Sequence, residues 1–172
     1  MAAKADISIR SERANDRAAI LALTARAFAP VPYSDGGEPE VIDRLRAADA
    51  LALSLVAVRD ETIVGHVALS PGLATDGTKG WYALGPISVE PSLQKSGIGS
   101  RLTESAIAWL RGRNASGCVL VGDPAYYPRF GFVVREELAP EGQPAEYYQV
   151  LSLDPDASAT VVGFHPAFFG AV

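Results

Sequence analysis

Residues 93–102 read LQKSGIGSRL, a lysine, two serines and two glycines set ahead of an apolar repeat. From Ile98 onward, Leu102, Ala106, Trp109 and Leu110 fall on one face at helical spacing, while Ser100, Arg101, Glu104 and Arg111 fall elsewhere. This predicts an amphipathic helix over about 97–113. Gly97 and Gly99 then sit at its N-terminus, where the first amides lack intrahelical partners and the dipole is positive. Without side chains in the way, a phosphate can reach that backbone. Lys95 and Arg101 add charge. The same glycines could equally serve a tight turn alone. Two familiar phosphate loops are excluded: no Gly-Lys-Ser/Thr follows, and Arg101 and Leu102 stand where a dinucleotide fingerprint needs its third glycine.

Few other residues could do chemistry. His66 has a suitable ordinary pKa, but it lies inside the strand-like TIVGHVALSP, where a hydrogen-bonded structural histidine is the simpler reading. Cys118 heads the apolar run CVLVG without a neighbouring His or Lys and reads as a small buried hydrophobe. His165, in GFHPAFF, reads as a strand cap or the wall of a cleft, the structural option being favoured.

The chain must position these groups with 172 residues, 48% of them hydrophobic. That suffices for one core and is expected to form one domain, residues 1–172. A net charge of −5 and a pI near 5.0 argue against a nucleic-acid surface, which needs Lys and Arg to neutralise phosphates. One cysteine precludes an internal disulfide, and two separated histidines give no zinc spacing, so no metal is expected. No apolar run approaches a membrane span, and MAAKADISIR lacks the apolar middle of a signal peptide. A soluble, cytoplasmic protein without a membrane partner is the expectation.

Element types alternate. Strands are predicted at 6–10, 51–60, 62–71, 81–90, 118–122, 147–153 and 160–164, and helices at 16–28, about 39–48 and about 97–113. The second and third strands form a hairpin about Asp60-Glu61. Gly85-Pro86 interrupts the fourth, where proline cannot donate to a ladder, so a bulge or splay is expected there. The fold class is α/β with a mixed sheet.

QKSGIG (94–99) resembles the Gln/Arg-x-x-Gly-x-Gly/Ala signature of the GCN5-related N-acetyltransferases (GNAT), the superfamily that binds acetyl-CoA. The preceding strand ends ISVEP, a helix of suitable length follows, and YYPRFGF (126–132) is similar to the family's tyrosine-x-x-x-Gly-Phe element. GDPAYYPRFGF resembles a bacterial subgroup of predicted N-acetyltransferases. The resemblance implies a mixed, mostly antiparallel sheet of six to seven strands flanked by about four helices and splayed between the fourth and fifth strands. It implies that the backbone of Ile87, Ser88 and Val89 binds the pantetheine arm of acetyl-CoA, the cosubstrate. The amides of Gln94, Lys95, Ser96, Gly97, Ile98, Gly99, Ser100 and Arg101 would bind its pyrophosphate. Tyr127, four residues before Gly131, falls where members often keep the tyrosine that protonates the departing thiolate, with Tyr126 as its competitor and core packing of both rings as the structural alternative. The implied reaction is direct attack by a primary amine of a small molecule or protein, through a ternary complex. Dimers are common in the family.

There are departures from the pattern. Asp123-Pro124 stands where many members have an asparagine, and Pro128 directly follows Tyr127, so the usual short helix is expected to shrink to a turn or to begin at the proline. WYALG (81–85) carries no acid to act as a general base, and Glu90 reads as a turn residue. The acceptor would meet loops at 30–39, 70–80 and 136–148, where Asp35, Glu38, Glu136, Glu137, Glu141 and Glu146 favour a cationic amine or simply solvate a surface. Tyr33 is a candidate to line that cleft, although nothing in the sequence compels it. A non-catalytic acetyl-CoA-binding sensor or interaction module is the alternative function.

Overall fold

Strands and helices alternate along residues 6–170, the part of the chain that the computed structural model describes. Their order is β1 (Ser8–Ser11), α1 (Arg17–Phe28), α2 (Glu38–Ala47), β2 (Leu53–Arg59), β3 (Thr62–Pro71), β4 (Leu73–Ala74), β5 (Trp81–Val89), α3 (Ile98–Gly112), β6 (Gly117–Val121), β7 (Val133–Val134), β8 (Tyr148–Ser152) and β9 (Val162–Gly163). Seven strands form one sheet in the order β1-β2-β3-β5-β6-β8-β7. Every pair is antiparallel except β5 and β6, whose parallel arrangement requires a crossover, supplied by α3.

The hairpin register is set by Asp60 and Glu61, both with positive φ (48° and 62°), the geometry whose twist suits a two-residue loop. β3 is buried along both faces, which is why its sequence is almost continuously apolar. Val67 and Leu69 join Leu53, Leu55 and Ala57 under α3, whose Ile98, Leu102, Ala106 and Leu110 are buried against them. Burial of each leucine contributes about 1.5–3 kcal/mol. Val56 faces the other way, toward Ile20, Leu23 and Ile42 of α1 and α2. The sheet is thus a middle layer, with α3 on one side and α1 and α2 on the other.

The predicted interruption of the fourth main strand is a bulge. Leu84 pairs with Leu69 and Ile87 with Val67, so Gly85 and Pro86 together oppose Ala68. Gly85 has φ 139°, and Pro86 has no amide to donate. Pairing between β5 and β6 covers only Trp81–Gly117, Tyr82–Cys118 and Ala83–Val119. From Leu84 onward the two strands have no ladder between them, and a wedge-shaped gap opens between the fourth and fifth main strands.

Three differences from the expected elements have physical reasons. Residues 160–164 leave the central sheet: Val162–Gly163 pairs with Leu73–Ala74, inside the segment read as a loop. The Tyr148 hydroxyl holds it there by donating to the Val162 carbonyl at 2.8 Å. The seventh place in the sheet goes instead to Val133–Val134, too short for its alternation to register. The described residues hold three α-helices rather than four, because Tyr127–Phe130 is only a single 3-10 turn, with Pro128 within it and Gly131 closing it at φ 99°.

Candidate active site

Two features meet at the open end of the gap: the turn leading into α3 and the aromatic segment after β6. In the turn, Gly97 caps α3 with φ 93° and Lys95 has φ 62°. Left-handed residues of this kind point successive amides the same way and make an anion-binding concavity. Among the described residues, the amides of Lys95, Ser96, Gly97, Ile98, Gly99 and Ser100 donate to no protein acceptor. The amide of Arg101 donates to the Gly97 carbonyl at 3.1 Å, and that of Gln94 reaches the Pro91 carbonyl at 3.5 Å. The turn is held from within by the Ser96 hydroxyl, which donates to the Leu93 carbonyl. The Gln94 side chain donates to the Val89 carbonyl at 3.2 Å. The Arg101 guanidinium turns away to the Ile7 carbonyl, 2.7 Å, leaving Lys95 as the exposed cation of the turn.

The predicted pantetheine stretch forms the adjoining edge. The Glu90 amide donates to the Val64 carbonyl at 2.9 Å, so the two-residue alternation turns the peptide groups of Ser88 toward β3 and those of Ile87 and Val89 toward the gap. The bond from Gln94 to the Val89 carbonyl agrees with that orientation. Ser88 is fully covered on the α1 and α2 side, its hydroxyl lacking a protein partner.

The two tyrosines occupy different places. The Tyr126 hydroxyl lies 3.1 Å from Ser100 Oγ, and it approaches Gly99 so closely that a Cβ there would stand 3.3 Å from it. Arg129 lies over the Tyr126 ring, 4.4 Å from its centroid. Tyr126 therefore buttresses the α3 N-terminus. Tyr127 is 9% exposed and packs edge-on against Tyr126 and Phe132. Its ring also lies on Gly122, where a Cβ would come within 2.5 Å of Tyr127 Cε2. Its hydroxyl makes no hydrogen bond to the described residues. Burial pushes the Tyr127 phenol well above its ordinary pKa of 10, and Tyr126, Tyr33 and Asp123 add to the rise. Tyr127 is thus a neutral donor throughout the physiological range.

Other candidates fall into structural roles. His66 is buried, with Nε2 2.8 Å from Ser54 Oγ, and burial reinforced by Arg46 pushes its pKa down to about 3. Cys118 is fully buried, and burial pushes its thiol up. His165 Nδ1 accepts from the Ala167 amide at 3.1 Å and caps the final turn. Glu90 is salt-bridged to Arg26 at 2.7 Å, tying α1 to the end of β5. Asp123 closes a turn by accepting from the Ala125 amide at 2.8 Å.

A cavity of about 290 Å3 adjoins the gap, walled by Leu84, Gly85 and Pro86 of β5 and Val121 of β6. Opposite stand Phe28 at the end of α1, Glu38 at the start of α2, and Phe164 and Phe168 near the C-terminus. Sequence reasoning places Glu38 only among loop acids and does not single out the four phenylalanines of the lining, Phe28, Phe164, Phe168 and Phe169. The doublet in GFHPAFF was the one visible signal, and nothing local indicates that it meets α1 and α2. Among the described residues there is no group of three or more metal-ligating side chains, and no helix is long and apolar enough to cross a membrane.

Free amides at the α3 turn suit a phosphate, and the peptide groups that the bulged strand leaves without a ladder partner suit an extended amide-bearing arm. The family model described as Acetyltransferase (GNAT) family matches residues 18–132. The uncharacterized N-acetyltransferase YhbS of Escherichia coli K12 is 32% identical over 125 residues, covering 72% of each chain. The uncharacterized N-acetyltransferase YjhQ of the same strain is 36% identical over 104 residues, 56% of this chain and 53% of that protein. Among solved structures, a GNAT family acetyltransferase from Brucella melitensis in complex with acetyl-CoA is 47% identical and superposes with a TM-score of 0.84, covering 95% of this chain and 98% of that one. Escherichia coli YhbS in complex with CoA superposes with a TM-score of 0.86 at 26% identity, covering 98% and 95%. On the sequence it shares with these proteins and the fold that carries it, this chain belongs to the GNAT acetyltransferase family.

Proposed function

We propose that residues 1–172 act as one acetyl-CoA-dependent N-acetyltransferase unit that transfers the acetyl group to a primary amine in a ternary complex. The observation that carries this reading is the coincidence of six unbonded amides at residues 95–100 with the open edge at Ile87 and Val89 and the unbonded Tyr127 hydroxyl. The amides, with Lys95, bind the pyrophosphate, and the gap-facing peptide groups of β5 left free by Gln94, those of Ile87 and the Val89 amide, take the pantetheine amides. Gln94 and Arg101, their own amides engaged, stabilise the turn from either side. Acetyl-CoA supplies an acyl thioester. The chain's part is to hold that thioester at the gap, exclude water and deliver a proton.

A neutral amine attacks the thioester carbonyl carbon, forming the C–N bond as the C–S bond breaks. The Tyr127 hydroxyl gives its proton to the departing sulfur, and the proton lost by the nitrogen returns through solvent to the phenolate. A phenol kept neutral by burial suits this step, because an ionised tyrosine has no proton to give. A cytoplasmic location, where acetyl-CoA is made and used, fits this chemistry.

The test is free-thiol release from acetyl-CoA across a panel of amines, with product mass confirming a gain of one acetyl group. Amine-dependent thiol release is expected. Saturable acetyl-CoA binding with no turnover of any amine, unchanged in Tyr127→Phe, would favour a sensor or interaction module instead.

A further inference from the structure

The cavity beside the gap has a chemistry of its own. Its lining is mainly apolar, with Phe28, Phe164, Phe168 and Phe169 alongside Leu84 and Pro86, and Gln143 as its one neutral polar side chain. Glu38 is the single ionisable group in its lining. One carboxylate oxygen, Oε1, accepts from the Ser34 hydroxyl at 2.6 Å. The other, Oε2, is buried and has no hydrogen-bond partner.

The arginines of the two helices bordering the cavity are all committed elsewhere. Arg17 pairs with Asp43, Arg26 with Glu90 and Arg46 with Glu12, while Arg44 donates to the Ala167 carbonyl at 2.7 Å, holding the C-terminal turn over the site. A buried carboxylate oxygen without a partner is unfavourable. Here its natural complement is a cation brought by a ligand.

Resting on the acetyltransferase reading above, we propose that this cavity selects a monoamine, a single primary ammonium on a compact ring-sized apolar body, with Glu38 Oε2 receiving the ammonium and accepting its proton. A volume of about 290 Å3 lies at the small end of ligand pockets, enough for one ring rather than a saccharide chain. A polyamine or aminoglycoside brings further charges, and the lining offers no second carboxylate to meet them. One N–H proton passes from the ammonium to Oε2. The freed nitrogen lone pair forms the C–N bond at the acetyl carbon as the C–S bond breaks, and sulfur takes its proton from Tyr127. The second proton leaving nitrogen restores the phenol through solvent, and Glu38 releases its own to solvent.

The experiment compares 2-phenylethylamine, spermidine and a lysine-containing peptide as acceptors for wild type and Glu38→Gln, with acetyl-CoA affinity measured separately by calorimetry. Wild type is expected to give 2-phenylethylamine the highest kcat/KM, about tenfold or more above spermidine. Glu38→Gln is expected to lower that value about 10²-fold, the low end for loss of an acid–base group, while acetyl-CoA affinity stays within twofold. Preference for spermidine or the peptide, turnover of none of the three despite acetyl-CoA binding, or a variant within threefold of wild type overturns this proposal and leaves the family's cosubstrate in place. Failure of wild type to bind acetyl-CoA overturns the function reading as well. The ranking on wild type needs no variant to fold.

Discussion

Replacing Tyr127 by phenylalanine removes one oxygen atom that the folded protein does not use. Its hydroxyl makes no hydrogen bond among the described residues, while its ring fills the space between Gly122, Tyr126 and Phe132. Deleting the oxygen therefore forfeits none of the roughly 0.5–1.5 kcal/mol that a protein hydrogen bond contributes, and the variant should melt within a degree or two of wild type. Catalysis should respond differently. A positioned general acid contributes about 10²–10⁴ in rate, or about 3–5 kcal/mol of barrier, so kcat should fall by that factor while acetyl-CoA binding is retained. Tyr126→Phe gives the opposite pattern. It loses the contact with Ser100 at 3.1 Å and loosens the α3 turn, so stability should drop by about 1 kcal/mol and the KM for acetyl-CoA should rise several-fold, with kcat nearly kept. Thermal melts and thiol-release kinetics on the best acceptor of the amine panel measure both. A Tyr127→Phe enzyme with kcat within twofold of wild type, or a collapse of kcat in Tyr126→Phe alone, would refute the assignment. Because burial raises the Tyr127 phenol above its ordinary value, no decline in rate from its ionisation should appear below pH 10.

Three further outcomes follow from the same geometry. His66 titrates near 6.5 when unfolded and at about 3 when folded, so the stability tied to its neutral form is complete above pH 6.5 and is lost as pH falls toward 3. At about 1.4 kcal/mol per pH unit, with the unfolded imidazole already half-protonated at pH 6.5, wild type should lose about 2 kcal/mol from this residue between pH 6.5 and 4.5 in urea unfolding, and His66→Gln should lack that component; parallel pH curves for the two proteins would contradict it. Gly97→Ala forces a side chain onto φ 93°, a strain of about 1–2 kcal/mol, and should weaken acetyl-CoA binding about tenfold in calorimetry. Gly122→Ala places a Cβ 2.5 Å from the Tyr127 ring, so it should reduce both kcat and Tm, whereas unchanged kinetics would mean that the ring's position does not matter.

How much of this could be read in advance depended on how local its cause was. The α3 helix and its glycine turn were legible because Ile98, Leu102, Ala106 and Leu110 repeat on one face and Gly97 supplies a conformation that side chains resist. The bulge was legible because Gly85-Pro86 breaks any ladder. The pairing of Leu73–Ala74 with Val162–Gly163 was not, since two-residue strands carry no period and their partners lie about ninety residues apart. Nor was the difference between Tyr126 and Tyr127: adjacent in sequence, they diverge only because one reaches Ser100 and the other lies against Gly122. The cavity beside the gap was hardest, assembled from Phe28, Glu38, Leu84 and Phe164, which only the folded chain brings together.

The central claim is that the turn at residues 95–100 and the open edge of β5 form an acetyl-CoA site. Calorimetric titration of the purified protein with acetyl-CoA, with ATP and NAD as controls, tests it most directly. Saturable binding selective for acetyl-CoA, weakened by Gly97→Ala, is the predicted result. No binding by folded protein at high concentration would contradict it, and LQKSGIGSRL would then be no more than a turn into a helix.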